Sequence, residues 1–374
     1  MPAQRPRGLS KAERLFLRRL DPAPKSEVVD LSYGDQDLAL AVAGLVPNGH
    51  VTLLTHDATL AAAAESALRG AGVANVAVVV AAGATSLPAL HFDLAYLAVQ
   101  PYLSAAQLTD LLAGARRSLK LGGRLILFAG MRQGAPTLLR RAEQIFGNLE
   151  VLDKSGGTRI ARCIQQADSG DAGVAEVEVR EPQADALFAV SVRGHDFILL
   201  SDSGVFSYGA LDEGTRLLLE SVEVRPTDRV VDIGCGYGAI GIVAARLAPE
   251  GFVTMMDTDA RAVDLARRNA ARNGVINAEV LVSDGSRAAG ERGFDLVLSN
   301  PPLHASPGTI RRLTAEAYGK LAPGGRLAYV VHKAYDARPI IENVFGAVST
   351  LAENEAFRVI GATRQDVPLK KDAG

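Results

Sequence analysis

The sequence predicts an α/β protein of two domains in tandem, each a doubly wound, seven-stranded sheet that is mostly parallel and has one reversed strand. Three features of the chain lead to this fold. They are an internal repeat, a glycine loop between an apolar run and a helical segment, and polar residues where the later apolar runs end. With 374 residues, of which 48% are apolar, the chain is too long for one hydrophobic core and has enough apolar content for two.

The internal repeat aligns residues 28–57 with residues 230–259 without a gap, and eleven of the thirty positions are identical. The same offset of 202 residues relates two further pairs of segments: 92–94 with 294–296, and 119–125 with 321–327. Such a repeat indicates two copies of one fold. We assign three regions to the chain: a first copy (residues 1–165), an acidic linker (166–183) and a second copy (184–374).

The second copy carries a glycine loop, residues 234–238, between a β-branched run and a helical segment. Glycine lets a backbone take positive φ and approach a ligand closely. Asp257 ends the next apolar run, nineteen residues after Gly238, where an acid commonly accepts hydrogen bonds from ribose hydroxyls. Asp284 ends the third run. Because parallel strands end at one edge of a sheet, these residues predict a single ligand cleft.

The fourth apolar run of the second copy, residues 294–299, is followed by Asn300-Pro301-Pro302. Asn300 offers a side-chain oxygen and Pro301 a main-chain oxygen, and the two prolines stiffen the backbone that presents them. Two acceptors suit the two N–H groups of an exocyclic amine on a planar ring. The tripeptide is therefore the candidate for the place where such an amine reacts.

The first copy lacks these polar and glycine residues. At the offset of 202 it has Ser32 for Gly234, Gln36 for Gly238, Thr55 for Asp257, and residues 98–100 (Ala-Val-Gln) for the Asn-Pro-Pro. We therefore interpret it as a scaffold or substrate-binding domain that does not bind the cofactor of the second copy.

The second copy resembles the class I S-adenosylmethionine-dependent methyltransferases that act on amino groups, whose fold is Rossmann-like. The resemblance implies these cofactor contacts: Asp232, Gly234, Cys235, Gly236, Gly238, Asp257, Thr258, Asp284 and Asn300. A nicotinamide enzyme is the competing interpretation, because Gly234, Gly236 and Ala239 also fit a dinucleotide motif. Such an enzyme has no use for Asn-Pro-Pro after the fourth strand.

A degenerate copy followed by a copy with Asn-Pro-Pro and His304 is similar to the bacterial ribosomal RNA guanine-N2 methyltransferases, over nearly the whole chain. The similarity implies methyl transfer from S-adenosylmethionine, without a metal, to the N2 amine of a guanine, most directly in small-subunit 16S rRNA. S-adenosylhomocysteine is then the product. The implied catalytic residues are Asn300, Pro301, Pro302 and His304, and the implied substrate contacts are Phe206, Leu303, Arg311 and Arg312.

The two residues that follow the Asn-Pro-Pro are Leu303 and His304. Leu303 stands where the family has an aromatic residue, so a ring that would stack on the flipped base is missing at that position. His304 either shapes the base pocket or packs the loop.

In the family, the segment that contains Asp212 and Thr215 helps to cover the cofactor and the active site.

Composition fits a cytoplasmic enzyme. The sequence has no run of about 18 apolar residues and no signal-like segment, so no membrane association is expected. Its two cysteines, Cys163 and Cys235, lie in different copies, and its six histidines lack metal-ligand spacing. We expect a monomer with neither a disulfide nor a metal.

An RNA-binding surface has to be local, because the net charge is −2. The N-terminal segment offers one through a cluster of cations: Arg5, Arg7, Lys11, Arg14, Arg18, Arg19 and Lys25. Ser10 and Glu13 form a capping-box pattern for a short helix there. The alternative for this helix is a solvated face that merely docks on the first domain.

Two further interpretations remain for the function. The same chemistry could act on a large-subunit guanine, on the N6 amine of adenine or on a protein glutamine amide, since all present a planar nitrogen. In the other interpretation, a non-catalytic RNA-binding or assembly protein merely retains a cofactor pocket.

Overall fold

The computed structural model describes residues 9–33, 36–99, 103, 105–131, 134–154, 156–167, 186–202, 205, 207–290, 293–302 and 306–365. It divides into two compact units, Met1–Gln183 and Ala184–Gly374. Within the described residues, no helix has the length and apolar content needed to cross a membrane. The predicted linker lies mostly outside this part of the chain, since residues 168–185 are not described.

The first unit is a seven-stranded sheet flanked by helices. Its strands are β1 (Glu27–Asp30), β2 (His50–Thr55), β3 (Val76–Val80), β4 (Phe92–Ala98), β5 (Leu119–Gly130), β6 (Glu150–Asp153) and β7 (Thr158–Ile164). Its α-helices are α1 (Lys11–Leu20), α2 (Gln36–Leu45), α3 (Ala58–Gly70), α4 (Ala105–Ser118) and α5 (Ala135–Phe146). The strand order is β3-β2-β1-β4-β5-β7-β6, and β7 runs antiparallel to both of its neighbours.

The second unit begins with a two-stranded hairpin and continues into a second seven-stranded sheet. The hairpin consists of β8 (Ala186–Val192) and β9 (His195–Ser201), and helix α6 (Glu213–Ser221) follows it. The sheet strands are β10 (Arg229–Ile233), β11 (Phe252–Asp257), β12 (Ala278–Val282), β13 (Phe294–Ser299), β14 (Leu321–His332), β15 (Val348–Glu353) and β16 (Phe357–Thr363). The remaining helices are α7 (Ala239–Leu247), α8 (Ala260–Arg272), α9 (Pro307–Lys320) and α10 (Arg338–Phe345).

The two sheets share one topology and one register. The second sheet has the order β12-β11-β10-β13-β14-β16-β15, with β16 as its reversed strand. Glu27 of β1 lies opposite His50, and Arg229 of β10 lies opposite Phe252, at the offset of 202 residues. Both sheets also shift register at the start of the fourth strand, between Phe92 and Leu94 or between Phe294 and Leu296. The predicted fold is therefore confirmed, including the reversed strand of each sheet.

Helix α1 docks on the first sheet through its apolar side. Phe16 and Leu20 are fully buried, and the Phe16 ring stacks on Phe128 at 5.1 Å between centroids. The capping box is present, because the Ser10 hydroxyl accepts from the Glu13 N–H while the Glu13 carboxylate accepts from the Ser10 N–H. The opposite, basic side of the helix remains exposed.

Candidate active site

The glycine loop between β10 and α7 has a left-handed backbone at every glycine. Gly234, Gly236 and Gly238 have φ of 74°, 55° and 92°. A Cβ atom at Gly234 or Gly236 would have no other heavy atom within 4 Å, so the loop faces open space. Gly241 serves packing instead, since its Cβ would lie 2.2 Å from the Met255 side chain. The loop thus forms a cradle that side chains would fill.

Asp232 lies beneath this loop and is fully buried. Its Oδ2 accepts the N–H of Gly241 at 2.9 Å, whereas Oδ1 has no hydrogen-bond partner among the described residues. Burial raises the pKa of Asp232 to about 8, and the nearby Asp257 carboxylate adds to this effect. A buried carboxylate oxygen without a partner is costly, and such a cost is typical of a ligand site.

Because the buried Asp232 carboxyl is costly to ionise, the effect of Asp232→Asn on the free energy of unfolding should depend on pH. The folded-state pKa near 8 lies above the ordinary value for Asp, so the stability that this carboxyl contributes is present below about pH 4 and is lost as the pH rises through 8. Asparagine does not titrate. We therefore expect the unfolding free energy of the variant, relative to wild type, to rise between pH 5 and 8 by on the order of 1 kcal/mol per pH unit.

Urea unfolding of the cofactor-free proteins at several pH values measures this difference. A difference between wild type and Asp232→Asn that does not change with pH would show that the carboxyl titrates normally.

Asp257 closes the second strand of this sheet and binds the loop. Its Oδ2 accepts the N–H of Gly236 at 2.8 Å, and its Oδ1 accepts the N–H of Asp259 at 2.9 Å. Burial raises its pKa, and the main-chain donors partly offset the rise. Each carboxylate oxygen has a second lone pair, so Asp257 can hold the loop and still accept from a ligand hydroxyl.

Asp284, after the third strand, belongs to an ion-pair network. Its carboxylate pairs with Arg312 of α9 at 2.9 Å and with Arg287 at 3.4 Å. Arg312 also pairs with Glu316 at 3.0 Å, and Glu316 accepts the N–H of Ser286 at 2.9 Å. Arg312, expected to contact phosphates, is therefore held by two carboxylates, and its contacts place it beside the predicted cofactor acid.

Asn300 follows directly from β13, which pairs with β10 in parallel. The Ser299 hydroxyl donates to the main-chain oxygen of Ile233 at 2.6 Å, which joins the strand before the Asn-Pro-Pro to the strand before the glycine loop. The side-chain nitrogen of Asn300 donates to Asp212 Oδ2 and to Thr215 Oγ1, both at 2.9 Å. Both N–H bonds of the amide are thus used.

These two hydrogen bonds fix which way the amide faces. A carboxylate accepts only, so an amide turned by 180° would set its oxygen against the Asp212 oxygen. Asp212 is itself held as the N-cap of α6, where it accepts the N–H of Thr215 at 2.8 Å. Asn300 Oδ1 therefore remains the acceptor that the site can offer. The sequence predicted the acceptor, and the family resemblance placed the segment with Asp212 and Thr215 over the active site, but neither predicted that these two residues anchor the Asn300 amide.

Tyr237 connects the glycine loop with the segment before α6. Its ring is buried and meets Phe188 edge-on at 6.0 Å. Burial raises its pKa to about 12, while a hydrogen bond with Ser207 opposes the rise. Its main-chain oxygen accepts from the buried amide of Asn269 at 2.8 Å, and the same amide pairs with both main-chain groups of Leu200 in β9. Sequence reasoning did not single out Asn269.

The other predicted site residues differ in how far they are exposed to solvent. Pro301 is buried and Pro302 exposed; Cys235 is buried in the loop and Thr258 is half-buried. Arg311 is exposed on α9, with no ion pair to any described residue. Phe206, Leu303 and His304 lie outside the described residues.

The equivalent place in the first unit is closed. Ser32, in the position of Gly234, is buried, and its hydroxyl accepts the N–H of Ala98 at 2.9 Å. The Tyr33 ring packs edge-on against His56 at 4.7 Å, and Thr55 is fully buried where the second unit has Asp257. Side chains thus occupy this end of the first sheet, where the second sheet has its open cradle.

The second unit offers what a nucleoside-type cofactor with a positive charge needs. The cradle over Gly234 and Gly236 admits a close ligand, and Asp257 carries acceptors for hydroxyl groups. The unpartnered oxygen of Asp232 suits a cationic or hydrogen-bonding group. The described residues therefore fit S-adenosylmethionine. They contain no group of three or more metal-ligating side chains.

Comparisons with known proteins all find methyltransferases. The model of the methyltransferase small domain family matches residues 6–162 and again residues 196–361. Ribosomal RNA small subunit methyltransferase C of Pseudomonas entomophila (strain L48) is 33% identical over 284 residues, 74% of this chain and 81% of that protein. Its counterpart from Pseudomonas aeruginosa (strain UCBPP-PA14) is 33% identical over 268 residues, 69% of this chain and 76% of that protein.

One solved structure is similar over almost the full length. It is the T. thermophilus 16S rRNA N2 G1207 methyltransferase (RsmC) in complex with AdoMet and guanosine, with a TM-score of 0.72 and 24% identity. The match covers 97% of this chain and 93% of that chain. At this identity the likeness establishes the two-unit fold.

Proposed function

Because the chain belongs to the methyltransferase small domain family, and within it to the ribosomal RNA small subunit methyltransferase C family, we propose that it methylates 16S rRNA. The reaction is the transfer of a methyl group from S-adenosylmethionine to the exocyclic N2 amine of a guanine. The sulfur–methyl bond breaks as the nitrogen–methyl bond forms, S-adenosylhomocysteine leaves as the second product, and the methylated amine releases one proton. No metal takes part.

The observation that carries this proposal is the fixed orientation of the Asn300 amide. Asp212 and Thr215 take both of its N–H bonds, so Oδ1 is presented as an acceptor at the end of β13. An exocyclic amine that donates to Oδ1 and to the main-chain oxygen of Pro301 has its lone pair turned out of the ring plane. Catalysis is then mainly orientation of that lone pair toward the methyl carbon.

The cofactor would be held by the open cradle of the second unit. Gly234 and Gly236 admit its close approach, Asp257 accepts from its ribose, and Asp284 accepts from its base. When bound, S-adenosylmethionine supplies an electrophilic methyl group on sulfur. Arg312 holds the Asp284 carboxylate in place.

The guanine has to leave its stack to reach Asn300, which costs a few kcal/mol. Contacts in the base pocket and with neighbouring phosphates offset this cost, and we assign one of the phosphate contacts to Arg311, which is exposed on α9. The partner is ribosomal RNA, free or in the small subunit. The protein acts as a monomer in the cytoplasm.

Mass spectrometry of nucleosides from 16S rRNA tests the proposal, with nucleosides from large-subunit RNA and peptides from cellular protein measured beside it. A strain that lacks the gene should lose N2-methylguanosine at one position, and wild type supplied on a plasmid should restore it. The Asn300→Ala variant, expressed to the same level, should not. An unchanged N2-methylguanosine content in the deletion strain would overturn the proposal. A loss confined to large-subunit RNA, N6-methyladenosine or methylglutamine would assign the chemistry to that acceptor.

A further inference from the structure

Methyl transfer needs three segments of the second unit to keep a fixed relation to one another. The glycine loop would carry the methyl donor, and Asn300, at the end of β13, would hold the amine. Asp212, at the start of α6, anchors the Asn300 amide. A shift of about 1 Å between reacting groups costs about 100-fold in rate. A residue that joins the glycine loop to the Asp212 segment would therefore affect catalysis without touching a reactant.

Tyr237 is such a residue, because its main chain belongs to the glycine loop and its side chain reaches the segment before α6. The ring is 4% exposed and lies in the apolar core that the hairpin β8–β9 shares with α7 and α8. Burial raises the pKa of Tyr237 to about 12, and the nearby Asp212 carboxylate adds to the rise. The hydroxyl therefore stays protonated at neutral pH, close to Asp212, where it bonds with Ser207.

The partner of this hydroxyl sits in a tight turn, residues 207–210. Ser207 has a left-handed backbone with φ of 64°, which is uncommon for a residue that has a Cβ. Its hydroxyl donates to the main-chain oxygen of Ala210 at 2.6 Å, and its oxygen is also the partner of the Tyr237 hydroxyl. Asp212 follows Ala210 by two residues, so the position of this turn determines where the Asp212 carboxylate lies.

The main chain of Tyr237 is held by a different contact. The amide of Asn269, which is fully buried, donates to the main-chain oxygen of Tyr237 at 2.8 Å and to that of Leu200 at 2.9 Å. This contact does not involve the Tyr237 hydroxyl. Replacing Tyr237 by phenylalanine should therefore leave the ring and the loop in place and remove only the bond to Ser207.

The first copy, which lacks the Asn-Pro-Pro, also lacks both of these residues. At the offset of 202 residues it has Asp35 for Tyr237 and Ala67 for Asn269. Helices α3 and α8 nevertheless have equivalent bounds at this offset. The fold thus does not require a tyrosine or a buried asparagine at these positions. Both occur in the copy that keeps the glycine loop and Asn300.

We propose that Tyr237 is a positioning residue for methyl transfer, whose hydroxyl fixes the turn at residues 207–210 and thereby holds Asp212 against the Asn300 amide. This inference rests on the proposed function and adds to it a residue of the glycine loop that acts through Asn300. One hydroxyl then relates the loop that would hold the cofactor to the amide that would hold the amine. Because Tyr237 acts through Asp212, its effect on the rate has to disappear once the Asp212 carboxylate is removed.

The rate of methyl transfer by Tyr237→Phe tests this proposal. Single-turnover methylation of 16S rRNA at saturating cofactor should slow by about 5-fold, the factor for one ordinary hydrogen bond. The Kd of the cofactor should stay within about twofold of wild type, because the ring and the loop remain. In an Asp212→Ala background the same substitution should cause no further loss, since the two residues act on one contact.

Tyr96→Phe is the matched control, because it removes the hydroxyl of a fully buried tyrosine in the first unit. This control should keep the wild-type rate. The proposal is overturned if Tyr237→Phe keeps the wild-type rate, if it slows Asp212→Ala by the same factor as wild type, or if the control slows as much.

Hydrogen exchange supplies a second measurement that does not depend on activity. The N–H of Thr215 is capped by the Asp212 carboxylate, so its exchange reports whether the carboxylate is held in place. Exchange of this amide should be about 5-fold faster in Tyr237→Phe than in wild type, and unchanged in Tyr96→Phe. Unchanged exchange in Tyr237→Phe would overturn the proposal. If wild type does not methylate 16S rRNA, the proposed function is refuted, while hydrogen exchange still decides whether Tyr237 holds Asp212.

Discussion

Replacing Asn300 by alanine is expected to lower the rate of methyl transfer at saturating substrate by about 100-fold or more, the cost of misplacing a reacting group by about 1 Å. The variant loses the oriented acceptor that turns the amine toward the methyl carbon. Although the resemblance also implies a cofactor contact for Asn300, cofactor affinity should remain within about twofold, because the carboxylates of Asp232 and Asp257 are untouched. Single-turnover methylation of 16S rRNA, with calorimetry for the cofactor, measures both quantities. Wild-type turnover in Asn300→Ala would mean that the Asn-Pro-Pro is only a turn.

Substitutions of Asp212 distinguish its role in orienting the Asn300 amide from the effect of its negative charge. Asp212→Ala leaves Thr215 as the only anchor of the Asn300 amide and should cause a smaller loss of turnover, about 10-fold, since one of two such hydrogen bonds remains. Asp212→Asn keeps an acceptor oxygen and should recover most of the rate. Asp57→Ala removes an N-cap from α3 of the first copy, and controls for the loss of a cap.

Replacing Asp257 by alanine should weaken cofactor binding by roughly 1.5–3 kcal/mol, the range for loss of a hydrogen bond to a charged group. Two effects contribute. The variant loses the acceptor for the ribose and also the carboxylate that holds the N–H of Gly236. Calorimetry of the cofactor with wild type and variant measures the change.

The first copy supplies the control for this experiment. Thr55 is the equivalent of Asp257 and is fully buried, so Thr55→Ala should leave cofactor affinity unchanged. Wild type should bind one cofactor per chain, because Ser32 and the Tyr33 and His56 rings occupy the corresponding end of the first sheet. A stoichiometry of two would contradict the assignment of the first copy as degenerate.

The fold was predictable because the chain contains two copies of it, so the pattern of one copy could be compared with that of the other. Apolar runs at an offset of 202 residues become strands with the same bounds, such as Leu119–Gly130 and Leu321–His332. Local signals also sufficed for α1, whose capping box follows from Ser10 and Glu13. These features depend on periodicity and on residues close together in the chain.

The site was predictable only in part. The glycine loop, Asp257, Asp284 and Asn300 lie at strand ends, and the order of the strands brings them to one edge of the sheet. The pairing of Asn300 with Asp212 spans 88 residues and depends on where α6 packs, for which the sequence has no periodic signal. The contact of Arg312 with Asp284 likewise depends on how α9 lies against the end of β12.

The attachment of β9 to helix α8 determines where a truncated form of the second unit has to begin. Asn269 and Asn273, one helical turn apart, pair through their amides with the main chain of Leu200 and Ile198, as a neighbouring strand would. A truncated protein that starts at Arg229 would keep all seven sheet strands, but both amides would lose their partners in β9, and the Asn300 side chain would lose Asp212 and Thr215 and be free to rotate. A minimal enzyme for engineering therefore has to start at the hairpin, before Ala186.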